Sequence, residues 1–142
     1  TLMTQGFHSF DHPVRIDSWQ PHMHLRGVAM SLEMFNPETG RKEMLSQASN
    51  WTAAWNHSHT YEEGYQPLVP AGATLIISAW YDNTENNPMN PDPDQWVGAG
   101  QRTTDEMSHA WIAVTHLDES GYERLLAERE ERDQRSLAGS DD

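Results

Sequence analysis

Met30-Ser31-Leu32-Glu33-Met34-Phe35, followed by Asn36-Pro37-Glu38-Thr39-Gly40, decides how this chain is read. Met30, Leu32 and Met34 alternate with Ser31 and Glu33. Successive side chains of an extended strand point to opposite faces, so this segment has one apolar face and one polar face. The next five residues carry turn chemistry, because proline fixes φ and glycine accepts positive φ. Arg41 to Gln47 is expected to return antiparallel and close a hairpin.

Working outward, the strand pattern extends back to His22, giving a half-buried strand from His22 to Phe35. Before it, Val14 to Trp19 reads as a short strand, with Val14, Ile16 and Ser18 opposite Arg15, Asp17 and Trp19. Residues 1–13 show little periodicity and read as an N-terminal arm. On the other side, Trp51, Trp55, Tyr61 and Tyr65 are scattered over a segment expected to form one or two strands. Pro67-Leu68-Val69-Pro70-Ala71-Gly72 is a turn. Ala73 to Tyr81 is a continuous apolar, β-branched run between turn signals, as expected of a fully buried strand. Asp82 to Gly100 is rich in Asn, Pro, Asp and Gly, and predicts a long loop of the kind that is usually functional or disordered. Glu106 to Leu117 predicts a last core strand. Ser120 to Leu137 carries helix formers, i,i+4 pairs such as Glu128–Arg132 and a weak stripe of Tyr122, Leu125 and Leu126. The expected fold is all-β: an antiparallel jelly-roll-type sandwich over about residues 14–117, followed by a charged C-terminal helix and tail over 118–142.

Composition narrows the function. At 142 residues the chain reads as one domain, long enough to bury a core without staples. Its formal net charge of −13 opposes binding to nucleic acid or to an anionic membrane surface. No apolar stretch approaches the length of a membrane span. Cysteine is absent, which excludes disulfides, thiolate metal sites, iron–sulfur clusters and covalently attached haem within the chain. That absence suits an oxidising compartment as well as the cytosol. The start at Thr1, with no signal-like segment, reads as a mature or excised part of a longer protein.

The chemistry is carried by Pro21-His22-Met23-His24-Leu25-Arg26-Gly27. Residues i and i+2 of a strand share a face, so His22 and His24 can turn onto one metal ion. Two other readings stand beside it: both imidazoles on a solvated strand face, or two histidines joined by a carboxylate, for which Glu106 is the candidate. Adjacent strand residues face opposite ways, so Glu106 and Met107 cannot both point inward without a bulge. His57-Ser58-His59 is a second His-x-His, able to bind another metal, cover the first or face water. His109 follows Met107 by two positions and shares its face, which makes it a candidate fourth ligand or partner of the ligands. His116 reads as an edge or packing residue, and His8 and His12 as arm residues. A cupin is set aside, because its Glu follows the second His by a few residues and a later His completes its set; here the next Glu is Glu33.

The run His22-x-His24-Leu25-x-Gly27, with the distant Asp105-Glu106-Met107, resembles the copper type II, ascorbate-dependent monooxygenases. These include the peptidylglycine α-hydroxylating and dopamine β-hydroxylating enzymes, and the likeness is to their C-terminal domain. Trp55, Pro70-Ala71-Gly72, Tyr81-Asp82-Asn83, Asn87-Pro88 and Asn90-Pro91-Asp92-Pro93 resemble the bacterial branch. The likeness covers about residues 14–117. It implies a mononuclear copper held by His22, His24 and Met107, which would bind O2 and hydroxylate a C–H bond of a small-molecule or peptide-like substrate. It also implies a partner redox domain or subunit as electron source, since the second copper domain of those hydroxylases does not fit within 142 residues. A periplasmic or extracellular location goes with it. Two departures argue against a peptide substrate: Gln20 stands where an Arg is expected and Trp111 where a Tyr is expected. Glu106, His109 and Trp111 are the candidates for a catalytic role. The competing functions are a non-catalytic copper-binding or electron-transfer module and a binding or assembly sandwich without turnover. The donor chemistry agrees with the resemblance, because a thioether selects Cu(I) while imidazole suits either copper state.

Overall fold

The apolar face of Met30, Leu32 and Met34 is buried against a second sheet. A computed structural model of the chain describes residues 1–138, and the last four residues of the expected tail lie outside them. The described residues form eight strands and one helix, in the order β1 (Leu2–Ser9), β2 (Val14–Met23), β3 (Gly27–Asn36), β4 (Arg41–Ser49), β5 (His59–Thr60), β6 (Leu68–Val69), β7 (Thr74–Tyr81), β8 (Ser108–His116) and α1 (Glu119–Ala138). One sheet has the order β1-β7-β3-β4. In the other, β2 pairs with β8 along one edge and with β5 and β6 along the opposite edge. All strand pairs are antiparallel. Val14, Ile16, Trp19 and Met23 of the second sheet share one core with Met30, Leu32, Met34, Leu75, Ala79 and Tyr81 of the first. The chain is thus an all-β sandwich with a C-terminal helix, as its alternation predicts. No helix of the described chain is long and apolar enough to cross a membrane.

The structure corrects several local expectations. Residues 2–9 are not an arm but an edge strand, paired with β7 from Leu2↔Tyr81 to Ser9↔Thr74. All eight of its residues are exposed, so it lacks the buried face that creates periodicity. His22 to Phe35 is not one strand. The chain leaves β2 after Met23, turns through His24 to Arg26 and re-enters the other sheet at Gly27. The aromatic segment from Trp51 to Tyr65 is mostly irregular and contributes only β5. β7 mixes buried and half-buried residues instead of being buried throughout, with Leu75, Ala79 and Tyr81 in the core.

The most consequential correction lies inside β2. The pairing with β8 slips between Ile16 and Ser18, a β-bulge that leaves Asp17 as the extra residue. Unbroken alternation would place Ser18 on the core face and Trp19 outside. Beyond the bulge the faces exchange, and Trp19 is 1% exposed. Asp17 is held in place by its neighbours: it accepts hydrogen bonds from Arg15 Nε (2.7 Å) and Thr115 Oγ1 (2.6 Å), and its carbonyl accepts from Tyr61 N (3.0 Å).

α1 begins on Asp118, whose carboxylate accepts from Gly121 N (2.7 Å) and Ser120 Oγ (3.1 Å). The expected stripe of Tyr122, Leu125 and Leu126 is half-buried and continues through Arg129 and Arg132. Those two arginines reach the loop before β6: Arg129 donates to the Gln66 carbonyl, Arg132 donates to the Gly64 carbonyl (2.5 Å), and the Arg132 guanidinium lies 4.1 Å from the centre of the Tyr65 ring.

Candidate metal centre

β2 and β8 bring the candidate ligands together through their register. Beyond the bulge, Trp19, Pro21 and Met23 face the core, so Gln20 and His22 face outward. His22 stands directly opposite His109, and Met23 opposite Ser108. The ladder continues one step past the strand, where His24 N donates to the Met107 carbonyl at 3.2 Å. Met107 is therefore the residue across from His24. Directly opposed residues have Cβ atoms about 4.5–5.5 Å apart and share a face.

The turn after β2 is laced to the segment that carries Met107. Leu25 N donates to the Thr103 carbonyl (3.4 Å), and Arg26 Nη1 donates to the Thr104 carbonyl (2.6 Å). Arg26 is 2% exposed, so this side chain is an internal strut. These bonds bring a residue more than eighty positions away in sequence to the histidine pair.

The two imidazoles are prepared in different ways. His24 is 8% exposed, and its Nδ1 lies 3.2 Å from the Asp105 carbonyl. A carbonyl can only accept, so Nδ1 carries the proton and Nε2 keeps its lone pair for a metal. Asp105 is itself fixed by Arg102, whose guanidinium donates to its carboxylate at 2.7 Å and holds that carboxyl below the usual range. His22 Nδ1 is buried without a hydrogen-bond partner. Burial holds the His22 imidazole below its ordinary pKa; a hydrogen-bonding interaction with Asn56 opposes this, and the nearby His24 and His109 add to it. A lowered pKa favours the neutral ring, which is the form that ligates. Gln20 Nε2 in turn donates to Asn56 Oδ1 at 3.0 Å.

The His22 and His24 ring centres lie 5.5 Å apart, with planes at 87°. Two rings held on one ion by bonds of about 2 Å at a tetrahedral angle would have their centres roughly 5 Å apart. The residues present therefore fit a metal: one imidazole with an oriented lone pair, one with an orphaned buried nitrogen, and a thioether from the opposing segment. Among the described residues no three His, Asp or Glu side chains group closely enough to hold a metal. Met107 brings a thioether to the position across from His24, and a thioether is a soft donor that suits Cu(I).

Of the remaining candidates, Trp111 and His109 lie beside His22. Trp111 stacks on His22, with ring centres 5.3 Å apart and planes at 14°. His109 lies 6.3 Å from His22, centre to centre, and 6.2 Å from Trp111. Glu106 accepts a hydrogen bond from Asn83 Nδ2 at 2.7 Å. His57 packs edge-on against Trp55, and His59 pairs with Trp19 in register, which puts it on the face of β2 opposite His22. Sequence reading missed Asn56 and the Asp105 carbonyl, because both act through tertiary neighbours that carry no pattern. Two cavities flank the centre between the β1 and β8 edges, of about 570 and 490 Å3. They share Thr4, Ser108 and His109; the first reaches Trp111 and the second reaches Met107. In comparisons with protein-family models and with the curated proteins, nothing matches this chain.

Proposed function

We propose that this chain is a copper-binding, monooxygenase-like domain in which His22, His24 and Met107 hold one copper ion. The supporting observation is the register that sets Met107 across from His24 while His24 Nε2 is left free by the Asp105 carbonyl. Bound copper would supply the one-electron chemistry that activates O2 for insertion into a C–H bond, within a larger redox protein that delivers electrons. The chain's own residues then bind and orient. Trp111 stacks on the plane of His22, Gln20 holds the Asn56 side chain, and Arg26 keeps the Met107 segment docked. A small-molecule or peptide-like substrate would lie in the cleft between β1 and β8, beside His109 and Trp111.

The test is metal affinity in both oxidation states. Met107→Ala should weaken Cu(I) binding by about tenfold or more and leave much of the Cu(II) affinity to the imidazoles. His22→Ala should weaken both states, and Glu106→Gln should change neither. The carboxylate reading replaces this one if Met107→Ala leaves Cu(I) affinity intact while Glu106→Gln abolishes binding. Copper- and ascorbate-dependent O2 uptake by the intact protein supports turnover; copper binding without uptake supports an electron-transfer or storage module.

A further inference from the structure

At the opposite end of β2, a second pair of imidazoles converges. Asp11 and His12 precede the strand, and His116 ends β8, paired with Val14 in register. His12 Nε2 and His116 Nδ1 lie 2.5 Å apart, with ring centres 4.6 Å apart. Two ring nitrogens this close share either a proton, as N–H donor and lone-pair acceptor, or, when both present lone pairs, a cation. Asp11 Oδ1 takes the other nitrogen of His12, Nδ1, at 2.7 Å. A carboxylate in that position orients a ligating imidazole and makes its far nitrogen more basic. The backbone holds the two residues in place, since Leu117 N donates to the Pro13 carbonyl at 3.0 Å. The pair opens onto a cavity of about 620 Å3 that His8, Phe10 and Gly72 also line, so an ion and its waters can enter.

We propose that His12 Nε2 and His116 Nδ1 form a second cation site, taking a borderline divalent ion such as zinc, with Asp11 as the positioning carboxylate and water in the remaining positions. Imidazole suits such ions, and the absence of any sulfur donor here separates this site from the thioether-containing one. Two bonds of about 2.0–2.1 Å at a tetrahedral angle set the nitrogens roughly 3.3 Å apart. The rings must therefore open by under an ångström, which the half-exposed His12 side chain permits. The Val14–His116 pair stands seven to eight strand steps of about 3.3 Å from the His22–His109 pair, roughly 25 Å, so the two sites can be tested separately. A metal here would clip the start of β2 to the end of β8, just before α1.

The experiment uses the untagged full chain with His22→Ala and His24→Ala, stripped of metal and titrated with zinc chloride by calorimetry. The expected result is one saturable zinc equivalent. Adding His116→Ala should abolish it, and adding Asp11→Asn should weaken it by about tenfold. If the double variant does not fold, the unsubstituted chain is titrated and followed by imidazole 15N–1H correlation spectra. There zinc should move the His12 and His116 resonances together. The proposal is overturned if the folded background variant takes up no zinc, if its zinc binding survives His116→Ala, or if His12 and His116 titrate with pH and do not respond to zinc. That last result would make the pair a shared-proton contact.

Discussion

Gly27 has no room for a side chain. A Cβ built there would lie 2.5 Å from Met23 Cβ and 2.7 Å from its sulfur. Met23 sits between the two histidines in sequence, so the close approach of Gly27 sets how tightly the turn folds back. Gly27→Ala should destabilise the protein by about 1–3 kcal/mol through overpacking, and should weaken copper binding although residue 27 is not a ligand. Urea unfolding and a Cu(I) competition assay would measure the two effects; a variant with unchanged urea midpoint would show that Met23 simply repacks. At this scale the proposed site was half legible. His22 and His24 stand out as a His-x-His pair, and Met107 joins them only through the resemblance to the copper hydroxylases. Asn56, the Asp105 carbonyl and the His12–His116 contact depend on which loop folds over which strand, and no local sequence rule encodes that.

Elements with a buried face were legible, and those without one were not. The β3–β4 hairpin followed from alternation and from the Asn36–Gly40 turn, where Gly40 adopts a φ of 66°. β1 escaped notice because an edge strand exposed on both faces has no hydrophobic phase to read. α1 was legible from composition, yet its docking relies on Arg129 and Arg132 more than on its thin apolar stripe. Its first turn should be pH-sensitive. The Gly121 N–H, followed by the Ser120 hydroxyl, holds the Asp118 carboxyl below its ordinary value. A depressed carboxylate contributes stability that is fully present above the unfolded value of about 3.9 and is lost as the pH falls through the folded value. Helical carbon shifts of residues 119–124 should therefore decay on acidification before those of residues 125–135. Asp118→Asn, which keeps a cap but no charge, should remove most of that pH dependence; equal decay along the helix would show that the cap is not the cause.

For the molecule as a whole, the formal charge of −13 opposes compaction by self-repulsion. Screening shortens from a range of about 30 Å at 0.01 M salt to about 8 Å at 0.15 M. Raising sodium chloride over that range should lift the melting temperature of the metal-free protein by a few degrees. A fall instead would mean that its ion pairs outweigh the repulsion. The bulge at Asp17 also acts on the whole molecule. Asp17→Ala removes the acceptor that Arg15 Nε and the Thr115 hydroxyl share and should cost roughly 1–2 kcal/mol, read from the urea midpoint; no change would show that backbone geometry alone keeps the slip. Deleting residue 17 outright is a different experiment, because it changes parity. Ile16 and His22 are separated by an even number of positions, which on an unbroken strand is the arithmetic of neighbours on one face. The single unpaired residue turns that into a separation between inside and outside. Proteins built on this plan can therefore gain or lose residues between the core anchor and the histidine pair only in twos, unless the bulge is gained or lost with them. A one-residue gap that keeps the bulge would invert the imidazoles into the core while leaving every motif intact to the eye, whereas loss of Asp17 itself would take the bulge with it and keep the faces.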